Sequence, residues 1–493
     1  MTLWVFLGLM GIFLAIGIAS VRLSRGTVED YYVASRSVSP ALAGLSAVAT
    51  NNSGYMFIGV IGFTYTNGLS AIWLMFGWIL GDFLASLAIH ARLRRATGLT
   101  HEPSYVGALS RWMGNVDFRV WRRIASLLSL VFLGVYAAAQ IKAGSKALHG
   151  VLGWDPALGA VLVAVVVLVY STAGGIRASI WTDAAQSFVM IGAMGILCFA
   201  SVDSRGGISE VIGQMREIPG FVDWMPRDLL LPGAPGLLLF IVGWLFAGLS
   251  VIGQPHVMVR FMALDDEDHL RAARAWYYSY FIAFYALATA VGMLARLELP
   301  ELASLDPELA LPTMSVALLP PAMVGVLLAG IFAATMSTAD SLVLACSATL
   351  TTDLPKSPWN RPWQAKLATA ATAGFALAIA LTGNRSVFDL VVLAWSTLAC
   401  AFAPLLIVHA LGRRIDEGTA LAMLAGAVGV ALSWRAIGWH DSVYEGLPGI
   451  LTGTAIGLAG AGRLARRVLD SPPVASRDPS AAELLGSRSR SND

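Results

Sequence analysis

Residues 47–59 read "AVATNNSGYMFIG". They lie inside an apolar stretch from Pro40 to Tyr65, long enough to cross a membrane. Thr50, Asn51, Asn52, Ser53 and Gly54 fall at its middle. In hydrocarbon, each backbone N–H or C=O without a partner costs several kcal/mol. A polar, glycine-containing break at mid-depth therefore survives only inside protein or beside water. One reading is a kinked helix whose asparagines bond neighbouring helices. The other is a helix unwound to hold a ligand. The surrounding sequence has to choose between them.

The chain has 493 residues, 57% hydrophobic and 13% charged, where soluble domains carry about 25% charged residues. Together with a mean hydropathy of +0.69, this composition specifies an all-α, polytopic protein of the lipid bilayer. A net charge of +2 gives no footprint for nucleic acid. Cys198, Cys346 and Cys400 each sit in an apolar segment, without metal or disulfide spacing, and read as small core residues. The opening "MTLWVFLGLMGIFLAIGIAS" lacks a basic leader and a cleavage site, so it reads as a retained first span.

Counting stretches of roughly 20 apolar residues predicts about thirteen spans. They lie near 2–21, 40–66, 70–91, 122–148, 156–173, 178–202, 233–257, 273–297, 318–350, 364–382, 386–411, 418–436 and 446–462. With the N-terminus outside, inward loops hold about 19 arginines and lysines and outward loops about 6, which fixes the orientation. The C-terminus is then cytoplasmic. Residues 463–493, rich in Ser, Pro and Arg from Ser471 on, read as a disordered cytoplasmic tail. The outward loop 204–231 carries "ISEVIGQMREIPGFVDWM", the pattern of a short amphipathic helix on the surface or over a vestibule.

Strongly polar interruptions are few, so they carry the information. "GWLFAGLSVIGQPH", residues 243–256, places Gly248, Ser250, Gly253 and Pro255 where a continuous helix is disfavoured. In "AGIFAATMSTADSLVLACS", residues 329–347, Ala334, Ser337, Thr338 and Ser341 share one helical face. Hydroxyls and a carbonyl there are hard oxygens suited to Na⁺; the competing reading is that the hydroxyls only bond back to the helix. Asp340 lies about 60° around the same helix from Ser337. Asp183 in "IWTDAAQ" reads either as a functional carboxylate or as a helix-end partner of Arg177. Lys142 and Lys146 can snorkel to the outer surface. Two broken spans, five spans apart, open two halves of opposite topology, the signature of an inverted-repeat transporter with a midplane site.

The runs "DYYVASRSVSP", "GLSAVATNNSGY", "YSTAGGIRASIWTDAAQ", "GQPHVMVRFMA", "AATMSTADSLVLACSATLTTDL" and "LAWSTLACAFAPLL" resemble the sodium:solute symporter family, most of all its proline-carrying bacterial members. The resemblance extends to about residue 460. It implies a LeuT-type core of five plus five helices with the first and sixth core helices broken. Residues 1–462 then form one symporter domain: an extra helix at 2–21, repeats at 40–202 and 233–411, and closing helices at 418–462. The resemblance further implies a main Na⁺ site of Ala49, Asn52, Ala334, Ser337 and Thr338. A second Na⁺ site is implied at Asp183, Asp340 and Ser341. The implied substrate positions are Asn51, Ser53, Gly54, Tyr55, Tyr136, Val251 and Gln254. Two departures stand out. Asn51 replaces an aspartate important for sodium, and Ala247 and Val251 replace two aromatic residues of the solute wall.

The expected function is Na⁺-coupled symport of a small solute, proline or another amino acid or organic acid, by alternating access. Proton coupling is the alternative that Asn51 raises. A transporter-like sensor would need a separate partner, because only about 30 residues follow the last span, too few for a kinase domain. No nucleotide-binding loop is present, and the chain is not expected to be an enzyme.

Overall fold

The computed structural model describes residues 1–112, 118–227, 229–304, 306–355, 358–359, 361–382 and 386–470. A helix or a pair of half-helices lies at every one of the thirteen expected spans, and among the described residues ten helices are long and apolar enough to cross a membrane. Helix α1 (Thr2–Val21) and the short α2 (Val28–Val33) precede the first break.

Helix α3 (Pro40–Asn51) starts on a proline at its first turn, where no N–H is lost. It stops at Asn52, whose ψ of 58° leaves the helical region. A π-helical turn, Tyr55–Val60, then leads into α4 (Ile61–Asn67). After α5 (Ile72–Thr100), α6 (Tyr105–Ser110) and α7 (Arg119–Leu152) comes α8 (Pro156–Ser204). The expected spans 156–173 and 178–202 are the two halves of α8, separated by a kink at Gly175, where φ and ψ leave the helical region. Gly175 has φ of 60°, and a Cβ there would lie 2.7 Å from the Tyr31 ring. Only glycine serves both needs.

The expected surface helix is α9 (Ile208–Glu217), whose Val211 and Met215 are buried. Beyond it, the Phe221 and Trp224 carbonyls accept bonds from Leu69 N–H and Trp73 Nε1, each at 2.8 Å, so this loop covers the link from α4 to α5.

The second break follows α10 (Gly233–Leu249). A 3₁₀ turn, Ser250–Gly253, and the extended Gln254 separate it from α11 (Pro255–Met262), again proline-started. Helices α12 (Leu270–Glu298), α13 (Ala310–Leu318), α14 (Pro321–Ala348), α15 (Pro362–Thr382) and α16 (Val387–Ala410) complete the core. Helices α17 (Glu417–Ala436) and α18 (Gly446–Asp470) pack on α16. The last helix runs past the expected boundary at 462, and residues 471–493 of the expected tail lie outside the described residues.

The packing repeats itself when the two halves are exchanged. The first broken helix packs on α12, and the second packs on α5. Helix α3 of the first broken helix packs on α8, and the 3₁₀ turn of the second packs on α16. This is the exchange that a five-plus-five inverted repeat produces.

Candidate functional site

Where α3 ends, its last carbonyls have no partner further along the helix. Helix α14, buried along nearly its whole length, faces them. Ser337 Oγ donates to Ala49 O and Ala334 O, both at 3.1 Å. Thr338 Oγ1 donates to Thr50 O at 2.7 Å and Ala334 O at 3.2 Å. The two hydroxyls therefore bond both to their own helix and across to the break. Three carbonyls and two hydroxyls converge, all neutral, hard oxygens in a dry setting, which fits Na⁺. Thr50 contributes a carbonyl that the resemblance did not imply. Asn52 instead presents an amide side chain, buried and with neither polar atom hydrogen-bonded.

Asp183 and Ser341 come together as expected, but the ion partner differs. Arg177 does not reach Asp183; it pairs with Asp30 at 2.7 Å and with Ala34 O at 2.9 Å. The partner of Asp183 is Arg260 on α11, at 3.2 Å, both side chains fully buried. Arg260 also donates to Ser179 at 2.9 Å, Ser46 at 3.2 Å and Ser341 Oγ. Ser46 donates to Asp183 at 2.7 Å. Asp340 accepts from Ser341 at 3.0 Å. One oxygen of Asp183 and one of Asp340 have no hydrogen-bond partner. Asp183 thus pairs with a fixed guanidinium, though not with the Arg177 that one reading offered it, and Asp340 joins the cluster through Ser341. Lys146 also finds partners rather than merely snorkelling, at Asp306 and Glu308, 2.7 and 2.5 Å away.

The solute positions gather on the other side of the break. Tyr136 donates to Ser53 Oγ at 3.2 Å, and Gly54 N–H donates to Gln140 Oε1 at 2.8 Å. Gln254 donates to Trp395 O at 2.9 Å, and Trp395 Nε1 donates to Ala247 O at 2.8 Å. The wall that Ala247 and Val251 leave small is therefore rebuilt in indole from α16. Trp395 lies 5.3 Å from Trp78 and 6.3 Å from both Tyr136 and His256. The Tyr55 ring lies 5.8 Å from Trp78. Tyr55 Oη, Gln140 Nε2, Gln254 Oε1 and both His256 nitrogens are buried without partners. Each such atom costs about 1–3 kcal/mol until something bonds it. Aromatic faces beside unmatched donors and acceptors are the kind of lining that a small polar molecule requires.

Asn51 bonds elsewhere. Its amide donates to Tyr277 Oη at 2.6 Å and lies 3.3 Å from Asp82 Oδ2. Tyr277 and Tyr278 donate to Asp82 at 2.7 and 2.8 Å. Asp82 is fully buried and has no ion pair among the described residues. So the carboxylate absent at position 51 has a neighbour that supplies one. The sequence did offer a signal for it: Asp82 is the lone charge in "LMFGWILGDFLASLA". Gln140, His256 and Arg260 were missed because they matter through contacts 77 or more residues away.

The model of the Sodium:solute symporter family matches residues 31–426. The chain is 30% identical to the high-affinity proline transporter PutP of Bacillus subtilis, over 86% of this chain and 90% of that one. It is 30% identical to the sodium/proline symporter of Salmonella typhimurium, over 86% of each. Among solved structures it superposes on a Na⁺-coupled sialic acid symporter in a substrate-bound outward-open state. That TM-score is 0.78 at 21% identity, covering 94% of this chain and 97% of that one. The transporter MhsT in complex with L-phenylalanine gives 0.55 at 17% identity, covering 87% and 97%.

Proposed function

The chain belongs to the sodium:solute symporter family, and from that premise we propose that it carries proline, or another small amino acid, into the cell. It is a multi-pass membrane protein, and Na⁺ is the coupling ion. The observation that carries the reading is the meeting of α3's last carbonyls with Ser337 and Thr338. These groups sit on different repeats, so a cation bound between them ties the repeats in one arrangement. The solute, bound beside Ser53, Gly54, Tyr55 and Tyr136, contacts the same break. Each ligand then favours the same state and raises the affinity for the other. The aromatic faces suit the ring of proline, and the unpartnered polar atoms suit its charged ends.

In this reading Ala49, Thr50, Ala334, Ser337 and Thr338 hold the transported Na⁺, and Asn52 offers its side chain nearby. Asp183, Asp340 and Ser341 form a second cation site whose charge Arg260 partly neutralises. The N-terminus faces outward and the C-terminus the cytoplasm, in the cell membrane. The test is uptake of a panel of labelled amino acids into proteoliposomes, with and without an inward Na⁺ gradient. Proline uptake driven by Na⁺ supports the proposal. Uptake that follows a proton gradient and ignores Na⁺ overturns it.

A further inference from the structure

Two cavities open at the ends of α5 and α7 that the arginine count assigns to the cytoplasm, and their chemistry differs. The first, about 680 Å³, sets arginines against acids. Arg122 there pairs with Glu102 at 2.9 Å and with Asp353 at 2.7 Å. The second, about 540 Å³, is lined by Arg92, Arg95, Arg413 and Arg414, with no Asp or Glu among the described residues of its wall. Arg95 has an ion pair, to Glu267 at 2.8 Å. Arg413 and Arg414 are exposed and have no carboxylate partner among the described residues. The cavity's other wall is a stacked pair, Trp112 on His409, with ring centroids 5.3 Å apart and planes 5° apart. His409 is half-buried, and its Nε2 is buried without a hydrogen-bond partner. Ile415 and Leu464 add apolar surface.

We propose that this cavity binds a phosphate group, borne by an anionic lipid headgroup or free in the cytoplasm. Guanidinium forks match phosphate oxygens in pairs. Basic pockets between helices at the cytoplasmic surface take such headgroups, and an indole at the interface sits at headgroup depth. The apolar surface beside the arginines would meet the first carbons of an acyl chain. None of these residues belongs to the ion or solute sites, so the site lies apart from the transport path. It joins the end of α5 to the link between α16 and α17, and a bound phosphate would pin those elements together.

The experiment uses the full chain, purified and delipidated in detergent, with the unfolding midpoint as readout. Phosphatidylglycerol, phosphatidylcholine or inorganic phosphate is titrated in. Phosphatidylglycerol is expected to raise the midpoint where phosphatidylcholine does not, because the zwitterion's own ammonium competes for the phosphate. An Arg413→Gln, Arg414→Gln variant should need about tenfold more phosphatidylglycerol for the same shift. Arg413→Lys, Arg414→Lys, which keeps the loop's charge for insertion, should fall between the two. An equal shift from inorganic phosphate, lost in the glutamine variant, assigns the site to the free ion; its absence assigns the lipid. The control is Arg119→Gln, Arg123→Gln, which removes the same charge at the other cavity and should leave the response intact. If the control weakens the response as much as the Arg413 and Arg414 pair does, or if that pair changes nothing, there is no phosphate site here.

Discussion

Ser337 and Thr338 show how much a single residue pair reveals through helical spacing alone. Their offsets from Ala334 put them on one face, and the fold turns that face toward the break. Spacing could not tell ion ligands from back-bonding hydroxyls, and each hydroxyl here bonds both back to its own helix and across to the break. A Ser337→Ala, Thr338→Val variant keeps volume and helix packing while removing both oxygens. We expect half-saturation by Na⁺ to rise at least about tenfold, the loss of roughly 1.4 kcal/mol or more of ion binding. Solute affinity at saturating Na⁺ should fall much less. Unchanged Na⁺ dependence in uptake would dismiss the site. Asp82 makes the opposite point. As a solitary carboxylate within an apolar span it was visible, yet its role depends on Asn51, Tyr277 and Tyr278, which only folding brings to it. Asp82→Asn preserves shape and offers the tyrosines an acceptor, but removes the negative charge beside the break. The variant should fold and insert, with weaker Na⁺ activation of uptake. An Asn51→Asp, Asp82→Asn exchange, which moves the charge across one hydrogen bond, should recover part of it. If Asp82 serves only to brace α5 against α12, thermal stability will change while Na⁺ activation will not.

At the scale of elements, the breaks were legible because glycine, proline and side-chain amides are costly inside a spanning helix. What the sequence could not give was how tightly the break is enclosed. A Cβ on Gly54 would come within 2.7 Å of Thr335 Cγ2 and 2.8 Å of the Ala143 Cβ. Overpacking of this kind costs about 1–3 kcal/mol, and here it would push α3 away from α7 and α14. Gly54→Val should therefore reach the membrane yet lose most uptake; near-normal uptake would show that the break tolerates a wider gap. The small α2 was not legible as a docked element either. Asp30 anchors it, accepting from Arg177 at 2.7 Å, Arg25 N–H at 2.8 Å, Ser35 at 2.8 Å and Ser24 at 2.9 Å. Burial raises the Asp30 pKa, but Arg177 and the other donors more than offset this, so the carboxyl titrates below its usual value. A carboxylate depressed on folding stabilises the protein above its unfolded pKa, and this is lost as pH falls through the folded one. Asp30→Asn should then lower the unfolding midpoint at pH 7, and the gap from the parent should close below about pH 4. A gap that persists in acid would mean the anchor works by shape alone.

For the whole molecule, composition and span counting were enough for the class. The inverted repeat followed from two breaks five spans apart. The pairing of α3 with α12 and of the second broken helix with α5 was beyond reach, since it is set by contacts between distant segments. The repeat nevertheless makes a prediction about sidedness that does not depend on counting from the N-terminus. Between the loop at Asp223 and the loop at Asp268 the chain crosses once, through α10, the 3₁₀ turn and α11. These loops must therefore lie on opposite faces. The arginines around the second loop, Arg271 and Arg274 among them, place it in the cytoplasm. Asp223 and Asp268 are both exposed, so a cysteine at either is open to a maleimide. In a background lacking Cys198, Cys346 and Cys400, Asp223→Cys should react with a membrane-impermeant maleimide on intact cells. Asp268→Cys should react only after permeabilisation. The reverse pattern would keep the fold but invert its orientation. Labelling of both from one side would mean that the broken helix does not cross, and with it the midplane site between the two breaks would fall.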